Sequence, residues 1–126
     1  MLCCPPDRVG DFWPFSERHI RAATGRNGIT ELSAVKDDVF SGRALLWVAA
    51  DEGGIRGAGV TQLAGRVCEI VAWGCEEQAR CTDLLKTIET YAEAEGCAAV
   101  RLIGPRAWQR ILPGYRTKAV ILEKAI

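Results

Sequence analysis

A chain of 126 residues is the size of one domain, large enough to bury roughly two-thirds of its unfolded surface. Hydrophobic residues make up 48% and charged residues 25%, and 16 basic residues face 16 acidic ones. That balance gives no bulk attraction to nucleic acid or an anionic membrane, and no apolar run approaches a membrane-spanning length.

Met1–Cys4 reads as a short edge strand closed by Pro5-Pro6. Pro14 suits the first turn of a helix through about Thr24, with Phe15, His19, Ile20 and Ala23 at helical spacing. After the break at Gly25-Arg26-Asn27-Gly28, a second helix carries Leu32, Val35, Val39 and Phe40 on one face, and Gly42 stops it. Three strands follow. Ala44–Ala50 turns at Asp51-Glu52-Gly53-Gly54 into Gly57–Leu63, and Ala64-Gly65-Arg66 leads into Val67–Trp73, an antiparallel meander.

Gly74 to Cys81 reads as a loop, and a third helix over about Thr82–Glu95 buries Leu84, Leu85, Ile88, Tyr91 and Ala92 before Gly96 caps it. Ala98–Ile103 is a buried strand. Gly104-Pro105 opens a brief helix with Trp108, Ile111 and Leu112, and Pro113-Gly114 ends it. Tyr115–Lys124 is expected to return as the last strand. The order is β-α-α-β-β-β-α-β-α-β in one domain, residues 1–126. A helix linking two buried strands is a crossover, so those strands should run parallel at the centre of an otherwise antiparallel sheet. Ligands enter beside such a divergence, at the strands' carboxyl ends.

Charge is unevenly spread. Residues 101–126 carry Arg101, Arg106, Arg110, Arg116, Lys118 and Lys124 against Glu123, a net +5, while residues 76–95 carry a net −4. Two solvated faces that attract each other explain this, and an anion site built from the arginines is the sharper alternative. Met1-Leu2-Cys3-Cys4-Pro5-Pro6 is no signal peptide, so a cytoplasmic protein is expected. Its six cysteines should then be reduced. Their spacing matches no zinc pattern and His19 is the one imidazole, so no metal is expected.

Two groups of residues point to chemistry. Glu69 is a lone acid in an apolar strand; it is either a general base or a structural partner of Arg66 or Arg101. The strand then runs into a helix N-terminus, whose unpaired amides are a ready anion site. Trp13, Trp47 and Trp108 read as packing residues and Trp73, beside the loop, as a candidate ligand platform. Cys75 and Cys81 flank the loop, yet no histidine accompanies them for nucleophilic catalysis.

This element order resembles the GNAT superfamily of N-acetyltransferases over essentially the whole chain. The nearest local likeness is to its histone-acetyltransferase branch, where a strand reading Glu-Ile-Val leads into a Gln-x-Arg-Gly-x-Gly loop. Here stand Glu69-Ile70-Val71, then Gln78-Ala79-Arg80-Cys81-Thr82-Asp83. The resemblance implies acyl transfer from acetyl-CoA to a primary amine, on a small molecule or a protein. It implies Glu69 as general base, Val71, Ala72 and Trp73 along the pantetheine arm, and Gln78, Ala79, Arg80, Cys81 and Thr82 around the pyrophosphate. Cys81 and Asp83 replace both family glycines, and Asp83 adds a like charge near the phosphate position. Arg110 stands where many members keep a tyrosine acid, and an arginine donates no proton at neutral pH.

A looser likeness is to short acetyltransferase-like proteins of tailed bacteriophages, through Val60-Thr61-Gln62, Cys68-Glu69-Ile70, Gly96-Cys97 and Trp108-Gln109-Arg110. It implies the host cytoplasm or a virion as the setting. The alternative function is a catalytically degenerate binding or assembly module with a protein partner or a second copy. A third idea gives the basic C-terminal part to nucleic acid.

Overall fold

Two tight turns set the register at the heart of the sheet. The computed structural model describes residues 2–28 and 30–126, with the side chains of residues 2, 27 and 78–80 outside the description. Strands β2 (Leu45–Asp51), β3 (Gly54–Ala64) and β4 (Val67–Cys75) form the expected antiparallel meander. Asp51 pairs with Gly54 and Ala64 with Val67, so each connection has two residues. Positive φ falls on Gly65 (61°) inside the second turn and, at the first, on Gly54 (118°), which opens β3 just past Glu52-Gly53. β1 (Leu2–Cys3) pairs with β2, and β5 (Ala99–Leu102) lies parallel to β4. Met1, expected to begin β1, falls outside the described residues.

Helices cover both faces. On one lie α1 (Val9–Asn27) and α2 (Leu32–Phe40), whose Trp13, Ile20, Ala23, Val35 and Val39 pack on Leu46, Val48, Ala58, Val60 and Ala72. On the other, α3 (Gln78–Ala94) sets Leu84, Leu85, Ile88 and Ala92 on Trp47, Ala49, Cys68, Ile70 and Trp73. A short helix α4 (Trp108–Ile111) completes that layer, with Leu112 buried behind it.

Four expectations change. α1 begins at Val9 rather than at Pro14, after a single 3-10 turn at Pro6–Arg8. Pro14 lies inside the helix on its exposed side above exposed Gly10, so the carbonyl it cannot bond is left to water. The inward stripe is accordingly Trp13, Ser16, Ile20 and Ala23, while Phe15 is 66% exposed.

α3 starts at Gln78, four residues earlier than expected, so half of the supposed loop is helix, and Gly74 and Cys75 belong to β4. The reason is composition. Without the family's glycines, Gln78-Ala79-Arg80 are good helix formers, and propagation runs back to the end of β4. Glu76 and Glu77 alone connect them.

The last strand does not form. Residues 115–126 have no regular structure, and the parallel pair therefore sits at the edge of the sheet rather than at its centre. A strand exists through its ladder, and among the described residues this segment pairs with no strand. Finally, Cys75 and Cys81 are joined as a disulfide, their Cα atoms 5.5 Å apart, against the expectation that all six cysteines are reduced.

Candidate active site between β4 and β5

β4 carries an irregularity that the sequence pattern conceals. Val60 pairs with Ala72 and Thr61 with Ile70, so Val71 is an extra residue, a β-bulge. It reverses the alternation. Cys68, Ile70 and Trp73 pack with α3, whereas Val71 and Ala72 pack on the α1 side. Strict alternation along Val67–Trp73 would put Trp73 with Val67, Glu69 and Val71, one face away from where it lies.

The bulge stands where the parallel strands part. The β4–β5 ladder runs from Val67–Ala99 to Ile70–Leu102 and stops there. Beyond it, Val71, Ala72 and Trp73 have no strand on their β5 side. A shallow apolar cleft forms between Ile70, Ala72 and Trp73 on one side and Leu102, Gly104 and Pro105 on the other.

Trp108 fills this cleft. Its ring lies edge-on to Trp73 with centroids 5.0 Å apart, and the Arg26 guanidinium from the last turn of α1 sits 5.2 Å over it. Gly104 makes room for it: a Cβ there would come within 2.3 Å of the indole. What remains free is about 10 Å³, space for roughly one water. Trp73 is 7% exposed and its indole Nε1 is buried without an acceptor. An unmet buried donor is costly; the neighbouring Cδ1 of the ring lies beside Gly59 of β3, on the side of β4 away from the cleft.

Glu69 takes the structural partner named for it. It faces Arg101 across the parallel ladder, with Nη1 to Oε1 at 3.6 Å and the two side chains 49% and 37% exposed, Arg101 the more so. It lies one residue before Ile70, where the cleft begins.

The helix mouth is less suited to phosphate. Glu76 is gripped by Arg18 and by Arg56, the latter at 3.3 Å, and Glu77 is the residue before the first helical turn. Two acidic residues thus precede the first turn of α3, where a diphosphate would approach. Cys81 is tied back to Cys75, and Thr82 is half-buried in α3; neither lines the cleft. The side chains of Gln78, Ala79 and Arg80 lie outside the described residues. Among the sequence-derived site residues, the structure brings Ala72 and Trp73 together on the cleft wall, with Val71 and Glu69 next to it in the chain. The pantetheine-arm part of the expected donor, an extended chain with amides, fits the free edge of β4; its diphosphate part does not fit the helix mouth.

Other candidates fall away. Arg110 is exposed on α4 outside the cleft lining. The Cys68 thiol is pushed up to about 11 by burial and by neighbouring Cys97, which makes it inert. Tyr115 packs against the α3-side core and donates its hydroxyl to Glu89 at 2.7 Å; burial and that carboxylate raise its pKa further still. Among the described residues no cluster suits a metal ion, and no helix is long and apolar enough to cross a membrane.

Sequence reasoning missed Trp108, Gly104 and Arg26 as parts of the site. The one available signal was Gly104-Pro105 directly after a strand. It had been read only as a helix start.

No family model matches the sequence, and neither does any curated protein. Solved structures do. An aminoglycoside acetyltransferase from an uncultured soil metagenomic sample, solved with sisomicin, matches with a TM-score of 0.73 and 11% identity over 99% of this chain and 94% of its own. A ribosomal-protein-alanine N-acetyltransferase from Brucella melitensis biovar Abortus gives 0.65 and 11%, covering 98% of each chain. A GNAT family acetyltransferase from Staphylococcus aureus gives 0.61 and 15%, covering 93% of each. The fold is that of the GNAT acetyltransferases. At these identities the likeness speaks for architecture, and chemistry has to be argued from the cleft.

Proposed function

We propose that the protein transfers an acyl group from an acyl thioester to a primary amine at the β4–β5 cleft. The observation that carries this reading is the free edge of β4 at Val71–Trp73, past the end of the β4–β5 ladder. Main-chain groups past the bulge suit the amides of an extended pantetheine arm, as in β-strand addition. Acetyl-CoA is the donor that the fold suggests, and it would supply the acyl group on a reactive thioester. Val71 and Ala72 would hold the arm by main chain. Glu69 would accept the proton of the incoming amine, with Arg101 orienting its carboxylate. The acceptor is a small-molecule or protein amine. Trp108 must swing out for the arm to enter.

A second reading is favoured by the acidic helix mouth. There the chain is a degenerate binding or assembly module of the kind phages encode, and the cleft stays shut.

Calorimetric titration with acetyl-CoA and with S-acetylpantetheine separates the two. Transferase chemistry expects heat from both, with the shorter donor keeping most of the affinity because the diphosphate finds no cradle. Silence from both sinks the enzyme reading. Glu69→Gln is expected to slow amine acetylation by about 10²-fold or more with donor affinity unchanged.

A further inference from the structure

Arg26 is the one charged residue that lines the cleft, and among the described residues it has no carboxylate partner. Every other arginine from Arg8 to Arg56 meets one: Arg8 meets Asp11, Arg18 Glu76, Arg21 Glu17, Arg43 Asp38 and Arg56 Asp51. Nor does α1 need Arg26 to finish it, since the Gly28 amide caps the helix by donating to the Thr24 main-chain oxygen at 3.0 Å. The guanidinium instead lies 5.2 Å over the Trp108 ring that plugs the cleft. The chain around this cation is empty of acid. No aspartate or glutamate stands between Glu17 and Glu31 or between Glu95 and Glu123, the two stretches that bring Ala23, Arg26, Leu102 and Trp108 to the cleft. The remaining wall, β4, has Glu69 as its one acid, and Arg101 neutralises it. Apolar walls focus the field of an unpaired charge, so the mouth of the cleft favours an anion.

We propose that Arg26 is an anion subsite of the cleft, so that the amine admitted there also carries a carboxylate or a phosphate. The inference rests on the acyl-transfer reading and narrows its acceptor. The guanidinium takes the anionic group while the amino group turns toward Glu69. An arginine fork meets either group with two parallel N–H···O bonds, a stronger hold than an exposed contact with a ring. Drawing Arg26 off Trp108 also removes part of what keeps the plug in place. The anion of one substrate therefore helps to open the path of the other, a coupling between the two binding events.

The test follows the Arg26 Nε–H resonance of the whole protein by heteronuclear NMR at low ionic strength, assigned by its loss in Arg26→Gln. Arg26 is exposed, so that substitution leaves the core intact. β-Alanine and O-phosphoethanolamine, the carboxylate and phosphate arms, are the probes. At least one of them should shift the resonance, whereas propylamine and ethanolamine, which lack the anion, should not. In calorimetry the active anionic amine should tighten S-acetylpantetheine binding by about 2- to 5-fold, the worth of an exposed cation–π contact. Arg26→Gln should show that tighter donor binding by itself and no further response to the anion. Arg26→Lys, which keeps the charge without the fork, should retain part of the response. A resonance that neither anionic amine moves overturns the proposal. So does an equal shift from the amines without an anion, or an anion response that survives Arg26→Gln. Failure of the transfer reading is a separate result: the donor titration is then silent while the Arg26 resonance still answers to the anionic amines, and the anion subsite stands.

Discussion

Trp108 stands edge-on to Trp73, ring centres 5.0 Å apart and planes at 84°, and so closes the gap left where β4 and β5 diverge. The contact rests on Gly104, whose missing side chain is the space the indole occupies. Two unlike substitutions should therefore have one effect. Trp108→Ala deletes the plug, and Gly104→Ala expels it. Each is expected to raise affinity for S-acetylpantetheine in calorimetry, because the wild-type protein spends part of its binding energy displacing the ring. Trp108→Ala should also cost about 2 kcal/mol of stability, less than for a fully buried tryptophan. Tighter binding in neither variant would mean that the cleft is not the entry site.

Gly74 is the point where α1 meets the sheet. A Cβ there would stand 2.6 Å from the main-chain oxygen of His19, a neighbour that cannot rotate away. Gly74→Ala is expected to push α1 off β4 and cost about 1–3 kcal/mol, read as a lower urea midpoint at unchanged slope. An unchanged midpoint would show that α1 packs more loosely than this contact implies.

How much of this was legible in the sequence depends on what kind of signal each element carries. The meander was legible because Asp51-Glu52-Gly53-Gly54 and Ala64-Gly65-Arg66 mark the turns and the runs they separate are rich in apolar residues. The core faces of α2 and α3 followed from Val35, Val39, Leu84, Leu85 and Ile88 at helical spacing. The bulge was not legible, since one extra residue at Val71 leaves an apolar run still apolar while shifting Trp73 to the other face. The start of α3 was misplaced because a family loop was laid over Gln78–Cys81, whose own propensity is helical. The last strand failed for a different reason: Ala119–Leu122 has strand composition, but a ladder is a tertiary fact. As for the site, Glu69 and its Arg101 partner were both named from sequence, while Trp108, held by a glycine four residues earlier, could be seen only in three dimensions.

The Cys75–Cys81 disulfide ties the end of β4 to the first turn of α3 across six positions. Closing so short a loop removes conformations from the unfolded chain, worth about 2 kcal/mol in the chain-entropy account. Cys75→Ser, or reduction of the native protein, should lower the urea midpoint accordingly and speed hydrogen exchange at residues 78–81. The double variant Cys75→Ser with Cys81→Ser should match the reduced protein. If reductant changes neither the midpoint nor exchange in the wild type, the link does not hold this corner together.

Stability should fall at both ends of the pH range, for opposite reasons. His19 is 6% exposed, and burial lowers its pKa below the usual 6.5, so the unfolded chain takes up a proton that the folded one resists. Its contribution is present above pH 6.5 and is lost as pH falls through the depressed folded value. At the alkaline end, Cys68 rises from 9.0 to about 11 and Tyr115 rises above its ordinary 10.0, both chiefly through burial. Here the unfolded chain releases its protons first, so stability is full below pH 9 and declines from there upward. Urea midpoints measured from pH 5 to 11 should trace a plateau between about 6.5 and 9 with a fall on either side. Replacing His19 with Phe should flatten the acid limb alone. Cys68→Val should make the alkaline limb shallower and leave the decline due to Cys3, Cys4, Tyr91 and Tyr115, which burial also raises, and an alkaline limb unchanged by Cys68→Val would show that the Cys68 thiol does not titrate there.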